Sequence, residues 1–407
     1  MPAIVEYPTV VKEALHEFGP FFANEPERRH FAEYLTGLFI AQRKNVSAIN
    51  REFAKRTDQS CLNRWLTEVD WAPEALNRQR IDWMQERPDT RFSAHGVIAL
   101  DNVLIDHTGK LIEDVGYFWD HAEQRHKIAH DYLIVNYVCT SGKHYPLEFY
   151  RFVKRDACEW QEIEFRDHNV LFRQLVDWII GNDIPGDFTF DSWFTHKDNL
   201  NHINAYKGRA YVGDLKLNRK LLYKGAEIKA EALASEIPVA DRKVVKVGDK
   251  KQWYFTKTLR IPGVDHKVRI VFLWHKKTDS KVRKALITNR TQWEVTRILR
   301  VYRYRWTGTE CFHRDGKQHL GMGDCQLRNG QGQTRHLYMV FLAYSVLIRH
   351  MQQSRPRAWA QERLMTIGQA CTAVLRESLS QTIAWVMDRV EQDRWDFKKV
   401  KIHLALP

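Results

Sequence analysis

Apolar positions recur at helical spacing near the start of the chain, with Phe31, Leu35 and Leu38 on one face and Val46, Ile49 and Phe53 on another. The polar stretch RTDQS interrupts this pattern, and Asp58 or Ser60 is placed to cap a further helix carrying Leu62, Trp65 and Leu66. Two short helices around a polar turn, dotted with Arg43, Lys44, Arg51 and Arg64, give the outline of a helix-turn-helix; an ordinary helical bundle with solvated charges fits the same pattern. From GVIAL onward the pattern becomes strand-like. Residues 96–100 end on Asp101, and VLI then ends on Asp106. Short runs at 117–119, 131–140 and 146–153 predict an antiparallel meander opening a mixed sheet. Helical spacing over 162–180 is followed by FTFDSWF, which puts Asp191 at the end of another short strand. Alternating, basic strands fill 206–290, and helical periodicity returns from QWEVTRILRVYRYRW to the end.

These shifts divide the chain into a helical DNA-binding domain over 1–90, an α/β domain over 91–350 with a β-rich insertion at about 206–290, and a C-terminal helical region over 351–407. The uncharged run at 337–348 is too short for a bilayer, which needs about 20 apolar residues, and is expected as a buried helix. With no signal-peptide pattern at the N-terminus, the expectation is a soluble cytoplasmic protein. Six cysteines without CxxC or metal-ligand spacing predict reduced, mostly buried thiols.

Charge narrows the partner. The 63 Lys and Arg against 50 Asp and Glu leave a net charge of +13, which favours a polyanion, nucleic acid first and an anionic membrane surface second. Against this basic background, Asp101, Asp191 and Glu310 stand out. Three carboxylates from remote parts of a chain can supply the oxygen ligands that two Mg2+ ions need, with Mn2+ as a substitute. Two such ions, about 3.5–4 Å apart, serve phosphodiester displacement. Glu310, Arg314 and Lys317 fall at i, i+4 and i+7, on one face of a helix. A solvated face with a plain Glu–Arg pair reads the same way from periodicity alone.

The order LDNVLIDHTGK, FTFDSW and YRYRWTGTECFHRDGKQ resembles the DDE transposases of bacterial insertion sequences, in the cut-and-paste group with a β insertion in an RNase H-like catalytic domain. The likeness spans roughly residues 30–350. It implies an RNase H-like mixed sheet flanked by helices, and Asp101, Asp191 and Glu310 as metal ligands and catalytic acids. Tyr302, Arg305 and Lys317 become the companions of Glu310 in a Tyr, Arg, Glu, Lys signature, with DNA contacts as their role. Here four residues, 306–309, separate Arg305 from Glu310, where the family has three. The first acid is Asp101 or Asp106. Trp193, Trp306, His313 and His319 are candidates to stack on or bond end nucleotides, with core packing the expected role of the tryptophans. The implied activity is binding of terminal inverted repeats in double-stranded DNA, cutting at the element ends and strand transfer of the 3'-hydroxyls to target DNA, by a homodimer on paired ends and in association with the nucleoid. A transposase-derived regulator without catalysis, or an RNase H-like endonuclease without strand transfer, accounts for the same residues.

Overall fold

The computed structural model describes residues 4–404 except Ala122, Asp249 and Arg355; the last three residues of the expected C-terminal region lie outside the described residues. Helices open the chain: α1 Thr9–Phe18, α2 Glu25–Ile40, α3 Val46–Arg51, α4 Gln59–Thr67 and α5 Pro73–Gln85. Strands β1 Val97–Asp106, β2 Gly116–Asp120, β3 Arg125–Val138 and β4 His144–Phe152 follow, then α6 Arg155–Trp160, α7 His168–Gly181, β5 Asp187–Phe190, α8 Lys197–Ala205 and β6 Tyr211–Leu215. The next stretch holds β7 Lys220–Tyr223, β8 Ala226–Lys229, α9 Ala230–Ser235, β9 Lys243–Val247, β10 Lys250–Leu259, β11 Val268–Trp274 and β12 Lys284–Thr288. It closes with α10 Val295–Gly308, α11 Glu310–His319, α12 Gly330–His350, α13 Ile367–Glu391 and α14 Phe397–His403. No helix among the described residues is long and apolar enough to cross a membrane. The six cysteines are free thiols.

The chain forms two compact units. One comprises Met1–Arg87, Leu104–His130 and His313–Pro407; the other comprises Pro88–Val103 and Asp131–Phe312.

The second unit is built on a mixed sheet in the order β4-β3-β1-β5-β6-β12-β11-β10-β9. β1, β5 and β6 run parallel at its centre, whereas the strands from β12 to β9 continue the sheet antiparallel. This is the RNase H-like arrangement that the resemblance implies, and the strand-rich segment extends the sheet itself. β7 and β8 pair apart from it, as a two-stranded hairpin. Helix α10 lays Val295, Ile298, Leu299 and Val301 on a floor that includes Val97, Val138, Val212, Val271 and Leu286. Helix α7 begins at His168 instead of 162, because the Asp167 carboxylate accepts from the backbone N–H of Asn169 and Val170 and so fixes the first turn there.

In the first unit, α12 is the central element. Its apolar run is buried throughout, as the length of that run predicts. An aromatic cluster of Phe18, Phe22, Phe31, Trp65 and Trp71 supports it. Charges that enter this core are matched: the Arg335 guanidinium donates to the carbonyls of Leu66 and Trp71, and Arg80 donates to Asn77 and Ser345. Helices α3 and α4 flank the polar turn, with Asp58 as the N-cap of α4 through the Ser60 N–H.

Candidate functional site

Parallel register brings two carboxylates to one level. β1 and β5 pair from Val97↔Asp187 to Ala99↔Thr189, so Asp101 and Asp191 each lie two residues beyond the last paired couple. Alternation then points both side chains the way Ala99 and Thr189 point. Asp101 is therefore not at a strand end, as its sequence context suggests, but within the ten-residue β1, which runs on to Asp106 while β5 stops at Phe190. Asp191 is the first residue past β5, where its Oδ1 accepts from the Trp193 N–H at 2.9 Å.

Helix α10 crosses this level. Its last residue, Gly308, rests so close to the sheet that a Cβ there would lie 2.8 Å from Ala99 Cβ and 2.9 Å from Val138 Cγ2. The absent side chain lets the helix end sit beside Asp101. Arg305, one turn earlier, puts Nη1 2.6 Å from Asp101 Oδ2 and 3.9 Å from Glu310 Oε1. The extra residue before Glu310 is absorbed at Thr309, where α10 ends and α11 begins, and the Thr309 hydroxyl donates to the Arg305 carbonyl at 2.9 Å.

Burial first, and then the charge of Asp191, pushes the Asp101 carboxyl up to about 7, against the pull of Arg305. Burial also raises Asp191, with the Trp193 N–H opposing. A fourth acid, which sequence reasoning missed, belongs to this cluster. Asp214 on β6 accepts from Lys284 Nζ at 2.7 Å and from the Tyr302 hydroxyl at 3.2 Å, and Lys284 Nζ also donates to Tyr302 at 2.9 Å. Its charge contributes to raising Asp191. The only trace of it in the sequence is a carboxylate within the apolar run AYVGDL.

The structure brings Asp101, Asp191, Glu310, Arg305 and Tyr302 together in one unit. The other expected contacts lie in the other unit, where Arg43, Arg51, Arg64, Arg314 and Lys317 are exposed. Arg51 donates to Ser47, Arg314 to Asp315, and the Lys317 amine to the Leu104 carbonyl. Lys44 differs from them. It is 8% exposed, its amine donates to the Ala41 carbonyl, and burial lowers its pKa. Asp106, the other candidate for the first acid, pairs with Lys127 at 2.8 Å. The tryptophans depart from the core role expected of them: Trp193 is 55% and Trp306 59% exposed, because Trp193 stands in the loop after β5 and Gly308, not Trp306, meets the sheet. Trp193 walls a cleft of about 560 Å3 with Ser192, His196, Lys216 and Arg219. His313 is buried and His319 partly so.

Asp101, Asp191 and Glu310 are hard oxygen donors suited to Mg2+ or Mn2+, and the charges of Asp191 and Glu310 both push the Asp101 carboxyl up. Among the described residues, however, no group of three or more His, Cys, Asp or Glu side chains stands close enough to ligate an ion together. The positive charge at Asp101 is instead that of Arg305. The donor chemistry fits a divalent cation, and ion binding would require Arg305 to share Asp101.

Residues 17–236, more than half of the chain, match the family model for DDE superfamily endonucleases, and residues 166–346 match the model for the transposase DDE domain. No curated protein matches the chain. The first match spans β1 and β5, and the second spans β5, α10, α11 and most of α12. The chain therefore belongs to the DDE superfamily of transposase-type endonucleases.

Proposed function

We propose that the protein is a DNA transposase that binds the terminal inverted repeats of its element, cuts phosphodiester bonds at the element ends and joins the freed 3'-hydroxyls to target DNA. The observation that carries this reading is the β1–β5 register, which sets Asp101 level with Asp191, with Arg305 and Glu310 arriving beside them from α10 and α11. Asp101, Asp191 and Glu310 would hold two Mg2+ or Mn2+ ions, which supply activation of the attacking oxygen and charge stabilisation of the leaving one. Arg305 keeps the buried Asp101 charge compensated in the absence of an ion and offers a guanidinium to a DNA phosphate when released from it. Tyr302, fixed by Lys284 and Asp214, positions the same strand. Arg43, Arg51 and Arg64 around the α3–α4 turn, with Arg314 and Lys317 on α11, neutralise further phosphates. Lys44 takes no part, since its amine is bound within the fold. Two copies are needed to hold paired ends, and the DNA partner places the protein at the nucleoid.

Purified protein with Mg2+ and a labelled element end is expected to give nicked or hairpin products. Glu310→Gln should abolish cutting and leave DNA binding intact. A variant that cuts as fast as the parent would remove Glu310 from the site, and a parent that binds without cutting would identify a regulator instead.

A further inference from the structure

A cavity of about 420 Å3 opens between the outer strands of the sheet and helix α10. Lys250 and Gln252 of β10, Arg283 and Lys284 at the start of β12, and Tyr302 and Arg303 of α10 line it. Four cations thus face one cavity, and no carboxylate lines it among the described residues. Of these cations, Lys284 is matched by Asp214 at 2.7 Å. Arg283 donates to the neutral Gln252 amide oxygen at 2.9 Å, which orients its guanidinium without neutralising it. Lys250 and Arg303 are exposed and carry their charges to the same opening. Counted over the described residues, the assembly draws on separate elements and gathers about three net positive charges, more than a single carboxylate balances; planar guanidinium forks suit phosphate oxygens.

Tyr302 lines this cavity and also touches the acid cluster. Its hydroxyl bonds Lys284 on the cavity side and Asp214, whose charge acts on Asp191. A strand lying across Tyr302 would leave a phosphate at each side of it.

We infer that Lys250, Arg283 and Arg303 form a phosphate-binding cavity that grips the backbone of the DNA strand at a point beyond the cleavage acids. The inference rests on the transposase reading for the identity of the polyanion. The cavity binds phosphodiester by charge and fork geometry, without reading bases, and so holds any sequence in register with Tyr302.

The test uses the full chain and a fluorescent DNA duplex without metal, so that binding is read apart from cutting. Lys250→Gln, Arg283→Gln and Arg303→Gln, singly and together, are expected to weaken binding, with about a tenfold loss for the triple variant. The slope of log affinity against log salt should fall by about 0.9 for each phosphate that is no longer neutralised. On the unsubstituted protein, the duplex should protect the Lys250 amine from acetylation, read by mass spectrometry, while leaving Lys398 reactive. Parent affinity and parent salt slope in the triple variant would overturn the inference. So would protection of Lys250 by inorganic pyrophosphate but not by the duplex, which would mark a small-anion site. Loss of cutting in Glu310→Gln with Lys250 still protected would support both readings. A parent that never cuts while its Lys250 is protected would sink the transposase reading and leave the phosphate cavity standing.

Discussion

Arg305 Nη1 stands 2.6 Å from Asp101 Oδ2, a pair made between residues 204 positions apart. Both side chains are largely buried, so the pair is worth more as mutual compensation than a surface ion pair would be. Removing one partner leaves the other charge in a poorly solvated place. Arg305→Gln is expected to lower stability by about 3 kcal/mol at pH 8. The loss should shrink at pH 5, where Asp101 is protonated, and the double variant with Asp101→Asn should recover most of it. Urea midpoints of the four proteins at both pH values check this; equal losses at pH 5 and pH 8 would show that Arg305 does not act through Asp101.

The Asp101 carboxyl itself sets a pH dependence. Its folded pKa, pushed to about 7 by burial and by Asp191, lies above the value near 4 of an unfolded aspartate. The folded state then binds more protons than the unfolded state between these two values, so stability falls as pH rises from about 4 to about 7 and levels off above. Asp101→Asn removes this titration. With a chelator present, the variant should gain on the parent as pH rises through that window, by on the order of 4 kcal/mol at 1.4 kcal/mol per pKa unit. A stability difference that stays constant from pH 4 to pH 8 would show that Asp101 ionises normally. In cutting assays the parent should rise in activity with pH towards 7, as the acid becomes able to bind a cation.

What local pattern could reveal here differs residue by residue. Asp191 and the strand before it follow from a short apolar run and its break, and the burial of α12 follows from its uncharged length. The alternation around Asp101 is legible too, yet it points to a strand end, because the pairing with β3 that carries β1 on to Asp106 is not local. Asp214 and Lys284 are hidden from local pattern for the same reason. Seventy positions separate them, and a carboxylate in a strand gives no sign of its partner until β6 and β12 pair. In sequence Lys44 is indistinguishable from its exposed neighbour Arg43; the packing around Ala41 and Asp324 sets it apart.

A second titration lies in the other unit. His336 is buried, with Nδ1 2.7 Å from the Tyr34 hydroxyl and Nε2 2.9 Å from the Gly321 carbonyl. Since a carbonyl only accepts, Nε2 carries the proton and Nδ1 accepts from Tyr34, which fixes a neutral imidazole. Burial lowers its pKa from 6.5 to about 4. The unfolded state thus binds more protons over this range, and stability is lost as pH falls from 6.5 towards 4, by about 3 kcal/mol. His336→Gln should be less stable than the parent at pH 7 and should lose less on acidification. Urea titrations at pH 7 and pH 4.5 measure both; a variant that loses as much as the parent would place the titration elsewhere.

Gly308 sets one helix propensity against one steric limit. Alanine in its place would gain about 1 kcal/mol of helix propensity. The new Cβ would, however, lie 2.8 Å from Ala99 Cβ and 2.9 Å from Val138 Cγ2, and both neighbours are fixed in the sheet. Overpacking of this kind costs about 1–3 kcal/mol and is relieved only by moving the helix. Since Arg305 precedes Gly308 by one turn, lifting the end of α10 draws the guanidinium away from Asp101. Gly308→Ala is therefore expected to be destabilised by about 1 kcal/mol net and to lose cutting more than tenfold. Thr307→Ala, which takes a propensity gain without the steric conflict, should keep both stability and activity. If Gly308→Ala proved more stable than the parent with its cutting rate unchanged, the close seat of α10 on β1 and β3 would not be what holds Arg305 at Asp101.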